Sequence, residues 1–233
     1  MQKLQKFSEN EKMSDLIIEN HSLLLVISRF GLSLGFGDKT VKEVCETSGI
    51  DCTTFLVVVN FLSEDNFEID NVYDNISIEA IIDYLKNAHT YFLDFKLPAI
   101  RTKLLQAVNT GEQSIPYSIL FTKFFDEYVA EVQKHMNYED NVVFPYVLQL
   151  KKGQKNKKYS ISIFQQRHND IDSKLEELKN ILIKYYPAKG NNHLLTEVLF
   201  DILSCEIDLA SHNRVEDYLF VPSIEAIERK IKQ

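Results

Sequence analysis

The sequence predicts an all-α protein, a small helical N-terminal domain followed by an up-down-up-down four-helix bundle. Three observations predict it. Gly and Pro are scarce, at 7 and 5 of 233 residues. Long stretches space apolar residues three and four apart, and none alternates as a half-buried strand would. The third observation is a repeated block. It reads His135-Met136-Asn137-Tyr138-Glu139-Asp140 closed by Phe144-Pro145, then His212-Asn213-Arg214-Val215-Glu216-Asp217 closed by Phe220 and Pro222. Residues i and i+4 of a helix lie on one face. Each block therefore sets an imidazole beside a carboxylate.

The N-terminal domain is expected over residues 1–63. A first helix is predicted over 14–30, capped by Ser14 and ended by Gly31, with Leu16, Ile17, Leu23, Leu24 and Ile27 on its apolar face. A Gly-rich bend follows. Thr40-Val41-Lys42-Glu43 has capping-box spacing for a short helix that Gly49 stops. Asp51 can cap a third helix over 52–62 that buries Phe55, Val58, Val59 and Leu62. Cys52 stands at its start and is expected to be a half-buried structural thiol. The acidic, Asn- and Asp-rich segment 64–76 reads as a linker.

The bundle is expected over 77–233. Its first helix runs from Ser77 to about Val108 and carries His89. Its second starts after Ser114 and runs to about Leu150, with Pro116 in the first turn, where proline is tolerated. Its third covers 160–186, carries His168 and is ended by Pro187 and Gly190; its fourth covers 192–229. Pro98, Pro145 and Pro222 should each kink or end the local helix.

Composition excludes several functions. The formal charge of −8 opposes a general nucleic-acid surface. The cluster Lys151, Lys152, Lys155, Lys157 and Lys158 reads as a solvated loop. Cys45, Cys52 and Cys205 are odd in number and lack CxxC spacing, so they suggest neither a disulfide framework nor a thiolate zinc site. No apolar run reaches the roughly 20 residues that span a bilayer. The polar N-terminus lacks a signal-peptide core. The cytoplasm is the expected location.

The four bundle helices carry one histidine each, His89, His135, His168 and His212, and two carry the partners Glu139 and Glu216. Facing helices would gather these six into one plane as a di-metal ligand set. Imidazole and carboxylate without thiolate suit iron, manganese or zinc. Two bridging carboxylates would give each metal two nitrogens and two oxygens, and a bridging oxo or hydroxo group a further ligand. His193 precedes His212 by 19 residues on the same helix, roughly 28 Å at 1.5 Å per residue, and is set aside. His21 belongs to the other domain.

These residues resemble a known family. His89 with Leu97-Pro98, the His135–Glu139–Phe144-Pro145 block, the isolated His168 and the His212–Glu216–Pro222 block look like the hemerythrin-like cation-binding domain. The four His with two Glu are similar to the repair-of-iron-centres (RIC) family. Arg29-Phe30-Gly31-Leu32, Val41-Lys42-Glu43 and Gly49-Ile50-Asp51 resemble that family's small N-terminal domain. That domain usually carries an adjacent Cys pair, whereas here Gly35-Phe36 occupies its place.

The resemblance implies a non-haem di-iron centre, oxo- or hydroxo-bridged, held by His89, His135, Glu139, His168, His212 and Glu216. It also implies repair of iron–sulfur clusters damaged by nitrosative or oxidative stress. The alternative is a dioxygen- or nitric-oxide-binding or sensing protein without repair activity. The expected partners are iron–sulfur proteins as clients, dioxygen or nitric oxide as small ligands, and a second copy in a homodimer. Nucleic acid and membrane are not expected.

Overall fold

The computed structural model describes residues 6–64, 73, 75–108, 115–154, 159–166, 172–185 and 192–232. The fold is all-helical. Among the described residues one isolated antiparallel bridge, Lys12 with Thr40, is the sole extended pairing. No helix of the described residues is long and apolar enough to cross a membrane.

The predicted first helix is two. α1 (Met13–Glu19) and α2 (Leu23–Arg29) are separated at Asn20, which leaves helical conformation (φ −139°, ψ 97°). Its Oδ1 accepts from the Ser22 N–H at 3.2 Å and the Ser22 hydroxyl at 2.6 Å. Asn competes with the helical backbone in this way. The residue before α1 is Lys12, not Ser14, and its side chain makes no capping bond. α2 closes as predicted, with Gly31 at φ 74° and the Leu32 N–H returning to the Ile27 carbonyl at 3.1 Å.

α3 (Val41–Ser48) opens with the full capping box. Thr40 accepts from the Glu43 N–H at 3.2 Å, and Glu43 accepts from the Thr40 N–H at 2.8 Å. Gly49 ends the helix at φ 68°, where a side chain would be strained. α4 (Cys52–Ser63) is capped by Asp51, which accepts from the Thr54 N–H at 2.7 Å.

α5 (Ile78–Thr90) leads into a π-helical segment, Tyr91–Lys96, and then α6 (Leu97–Val108). α7 (Ile115–Tyr138) leads into a second, Glu139–Val143, and then α8 (Phe144–Lys151). α9 (Ile161–Gln165) and α10 (Asp172–Tyr185) occupy the described parts of the predicted third bundle helix. His168, Pro187 and Gly190 lie outside the described residues, as does most of the expected linker. α11 (Asn192–Val215) leads into a third π segment, Glu216–Phe220, and then α12 (Val221–Lys232).

Each π segment stands directly before an X-Pro pair. Proline has no N–H, and its ring would meet the carbonyl four residues back. Opening one turn relieves that conflict. The Leu97, Phe144 and Val221 N–H groups reach back to the carbonyls of Phe92, Glu139 and Glu216, a π-type span. The helices therefore continue through Pro98, Pro145 and Pro222, widened rather than ended.

The chain forms two compact units, one of Met1–Ala88, Leu150–Lys155 and Arg214–Gln233, the other of His89–Gln149 and Asn156–Asn213. In the first, Phe30 packs its ring 5.2 Å from that of Phe55 and 5.1 Å from that of Tyr84. Buried Asn60 fastens the N-terminal strand of chain to α4. Its Oδ1 accepts from the Phe7 N–H at 2.8 Å, and its Nδ2 donates to the Phe7 carbonyl at 3.0 Å. Thr54 Oγ1 accepts from the Ser77 N–H at 2.7 Å, which sets the start of α5 against α4.

In the second unit the core is Phe92, Ile100, Leu104, Phe121, Phe125, Tyr128, Val132, Leu178 and Ile202. Polar ties hold neighbouring helices in register. Arg101 donates to both oxygens of Asp126 at 2.7 and 2.9 Å, joining α6 to α7. Lys96 and Lys103 both donate to Asp201, at 2.8 and 2.6 Å, joining the first π segment and α6 to α11. Burial of Asp201 works against its charge, but the two lysines outweigh it and hold its carboxyl below the usual carboxylate value.

Candidate metal centre

The repeated block places its residues identically on two helices. His135 lies in the last turn of α7, and Glu139 opens the π segment that follows. His212 lies near the end of α11, and Glu216 opens the next π segment. In each case the Glu carbonyl accepts the N–H of the residue before proline. The wide turn thus begins at the carboxylate itself. Such insertions recur at functional sites because they re-aim side chains without breaking a helix.

Four of these side chains converge. One ligand atom each of His89, Glu139, His212 and Glu216 lies within 4.8 Å of the other three. All four residues are buried, both glutamates at 0% exposure. Glu139 lies between two imidazoles, its Oε2 3.0 Å from His89 Nε2 and its Oε1 2.8 Å from His135 Nε2. The same separations suit adjacent ligand atoms on one cation with bonds of about 2.1 Å.

The donor set fits a metal. Burying one carboxylate as an anion is costly, and two at the same spot also repel. A divalent or trivalent cation among them removes both penalties. Nitrogen and oxygen donors without thiolate favour iron, manganese or zinc.

Aromatic rings wall the site. Phe144 stacks on His89 with centroids 5.7 Å apart and 16° between planes. Phe164 stacks on His135 at 6.3 Å and 21°. Phe92 meets His212 edge-on at 6.0 Å, and the His89 and His212 rings meet at 5.2 Å. These rings lower the local polarity and keep bulk water from the donor atoms.

Of the six residues that the sequence selects, the structure brings His89, Glu139, His212 and Glu216 into one group and sets His135 against Glu139. His168 lies outside the described residues. His21 and His193 are exposed. Asp94, Asp140, Asp217 and several tyrosines lie near the candidate ligands in sequence and could each support an imidazole. The structure singles out Asp140, whose Oδ1 lies 3.0 Å from His89 Nδ1. With the proton on Nδ1 donated to Asp140, the Nε2 lone pair faces the cluster.

That arrangement makes a prediction. Asp140→Ala is expected to weaken iron binding about 10-fold or more, because the His89 ring loses its orienting partner. Competition with a chromophoric chelator measures it. Urea unfolding of the metal-free protein should change little, since the Asp140 side chain is 33% exposed.

A helical bundle with buried imidazoles and carboxylates on facing elements is a non-haem metal-binding bundle. The particular family follows from comparison. The chain belongs to the hemerythrin HHE cation-binding domain family, whose profile matches residues 80–224. No curated protein matches the chain.

Proposed function

We propose that this chain is a di-iron protein of the repair-of-iron-centres type, which acts in the cytoplasm to restore iron–sulfur clusters damaged by nitrosative or oxidative stress. The buried group of His89, Glu139, His212 and Glu216 supports the reading most directly. It places two buried carboxylates among imidazoles, the donors that a centre with shared carboxylate ligands would use. His135 and His168 would complete the set, with Glu139 and Glu216 each held in common by two irons. When bound, such a centre would supply exchangeable iron and take up a small diatomic ligand. The protein's own part is to hold the donors, keep Nε2 of His89 turned inward through Asp140, and exclude water with Phe92, Phe144 and Phe164.

The test is restoration of activity to a cluster enzyme inactivated by nitric oxide. Iron-loaded protein should restore it, and the metal-free protein should not. No restoration where a known repair protein succeeds would sink the reading.

A second reading is reversible dioxygen or nitric oxide binding without repair. It is favoured by Gly35-Phe36, which stands where the resembling family carries adjacent cysteines. A reversible optical change on gas exposure, with no effect on a damaged cluster, would select it.

A further inference from the structure

The two repeated blocks hold their wide turns in different ways. The positions two before and two after the glutamate are Asn137 and Asn141 in the first block, and Arg214 and Tyr218 in the second. In the first block both are exposed, and Asn141 Nδ2 donates to the Asn137 carbonyl at 2.7 Å, tying the two sides of the Glu139 turn together. Arg214 and Tyr218 have no short amide that could fold back in this way. Both meet the ring of Phe61 in α4 instead. The Arg214 guanidinium lies over that ring, 4.9 Å from its centroid, and the Tyr218 ring stands 6.1 Å away at 45°. Phe61 is buried and follows Asn60, whose side chain is bonded to Phe7. Phe61, Arg214, Glu216 and Tyr218 belong to one compact unit.

We propose that Phe61 is a positioning residue for Glu216, through which the N-terminal helices set the affinity of the metal centre; this rests on Glu216 as a metal ligand and not on repair activity. Two residues turn a helix through about 200°. Glu216 therefore points away from the face that Arg214 and Tyr218 turn towards Phe61. The ring acts on the carboxylate from behind and touches neither it nor a metal. Held on both sides of Glu216 by one buried ring, the helix cannot rotate about its axis at the residue where its wide turn begins. The carboxylate is thus aimed before a metal arrives. Without the ring the metal must hold what packing held, and binding weakens. The coupling runs both ways, so a metal that fixes Glu216 also steadies α4.

The experiment titrates the chelator-treated full chain with cobalt(II), whose visible absorption reports both affinity and ligand geometry. Phe61→Leu keeps apolar bulk and removes the ring. It is expected to bind cobalt about 10-fold more weakly, with an altered spectrum, whereas Phe61→Tyr keeps the ring and should bind as the unmodified chain does. Circular dichroism checks that the metal-free variants fold. Arg214→Ala combined with Tyr218→Ala leaves Phe61 in place and should weaken binding to a similar degree. Hydrogen exchange supplies a readout that a merely structural Phe61 would not move. Cobalt should slow amide exchange along α4 in the unmodified chain and do so much less in the double variant. Full cobalt affinity in both Phe61→Leu and the double variant, or α4 exchange unchanged by cobalt, would overturn the proposal and leave the metal centre standing. An unmodified chain that takes up no cobalt would remove both.

Discussion

Glu139→Ala is expected to abolish iron binding. Protein produced in iron-replete medium should carry about two irons per chain with oxo-to-iron absorption in the near ultraviolet, and the variant should lose both signals. The size of the effect follows from position. Glu139 is fully buried and touches His89 on one oxygen and His135 on the other. Its removal breaks the connection between three candidate ligands, two of them on helices other than the π segment it opens. A peripheral ligand would cost one bond. Elemental analysis with an optical spectrum decides the matter. Wild-type protein that stays folded but takes up no iron would show that the His/Glu group is a metal-free polar core.

The second large effect concerns the metal-free protein. Glu139 and Glu216 sit in one small group, both buried. Without a cation their charges oppose folding, so metal should be a strong stabiliser. A ligand that binds only the native state adds about 2.7 kcal/mol when its free concentration is about a hundred times its dissociation constant. Glu216→Gln keeps the side chain's shape and deletes its charge. It is expected to raise the stability of chelator-treated protein by about 1–3 kcal/mol while removing most of the iron. Urea unfolding with and without chelator measures both halves. Loss of stability in the metal-free variant would mean that the Glu216 charge is already compensated by the protein.

Much of the site was legible because a helix converts sequence spacing into direction. His135 with Glu139 and His212 with Glu216 are four apart, and nothing beyond helicity is needed to pair them. His89 was legible as the histidine of another bundle helix. Other features depend on side chains whose competing options have nearly equal energy. Asn20 and Ser22 break the first helix by a local hydrogen bond, where apolar spacing alone continues it. Asp94, Asp140 and Asp217 are chemically alike, and only packing shows that Asp140 meets His89. The prolines were visible, but their consequence was not. A stop and a widened turn share one sequence signal, and what separates them is whether the helix beyond has a core to join, as α8 has through Phe144, Val147 and Leu150.

The widened turns also decide which genetic lesion would be most informative. A π-turn holds one residue more than the α-turn it replaces. Its loss would close the wide turn to an α-turn and leave the downstream helix in phase, but without the room that the proline uses. Deleting Val142, exposed within the second π segment, removes no buried side chain. It would nonetheless keep Phe144 and Val147 facing the core while driving the Pro145 ring into the Asp140 carbonyl, which stands four residues back in the shortened chain. The wide turn is thus a spacer that the proline requires, a setting stored in residue count as well as residue identity. An alanine scan leaves that setting untouched; a scan of single deletions across residues 140–143 would read it directly.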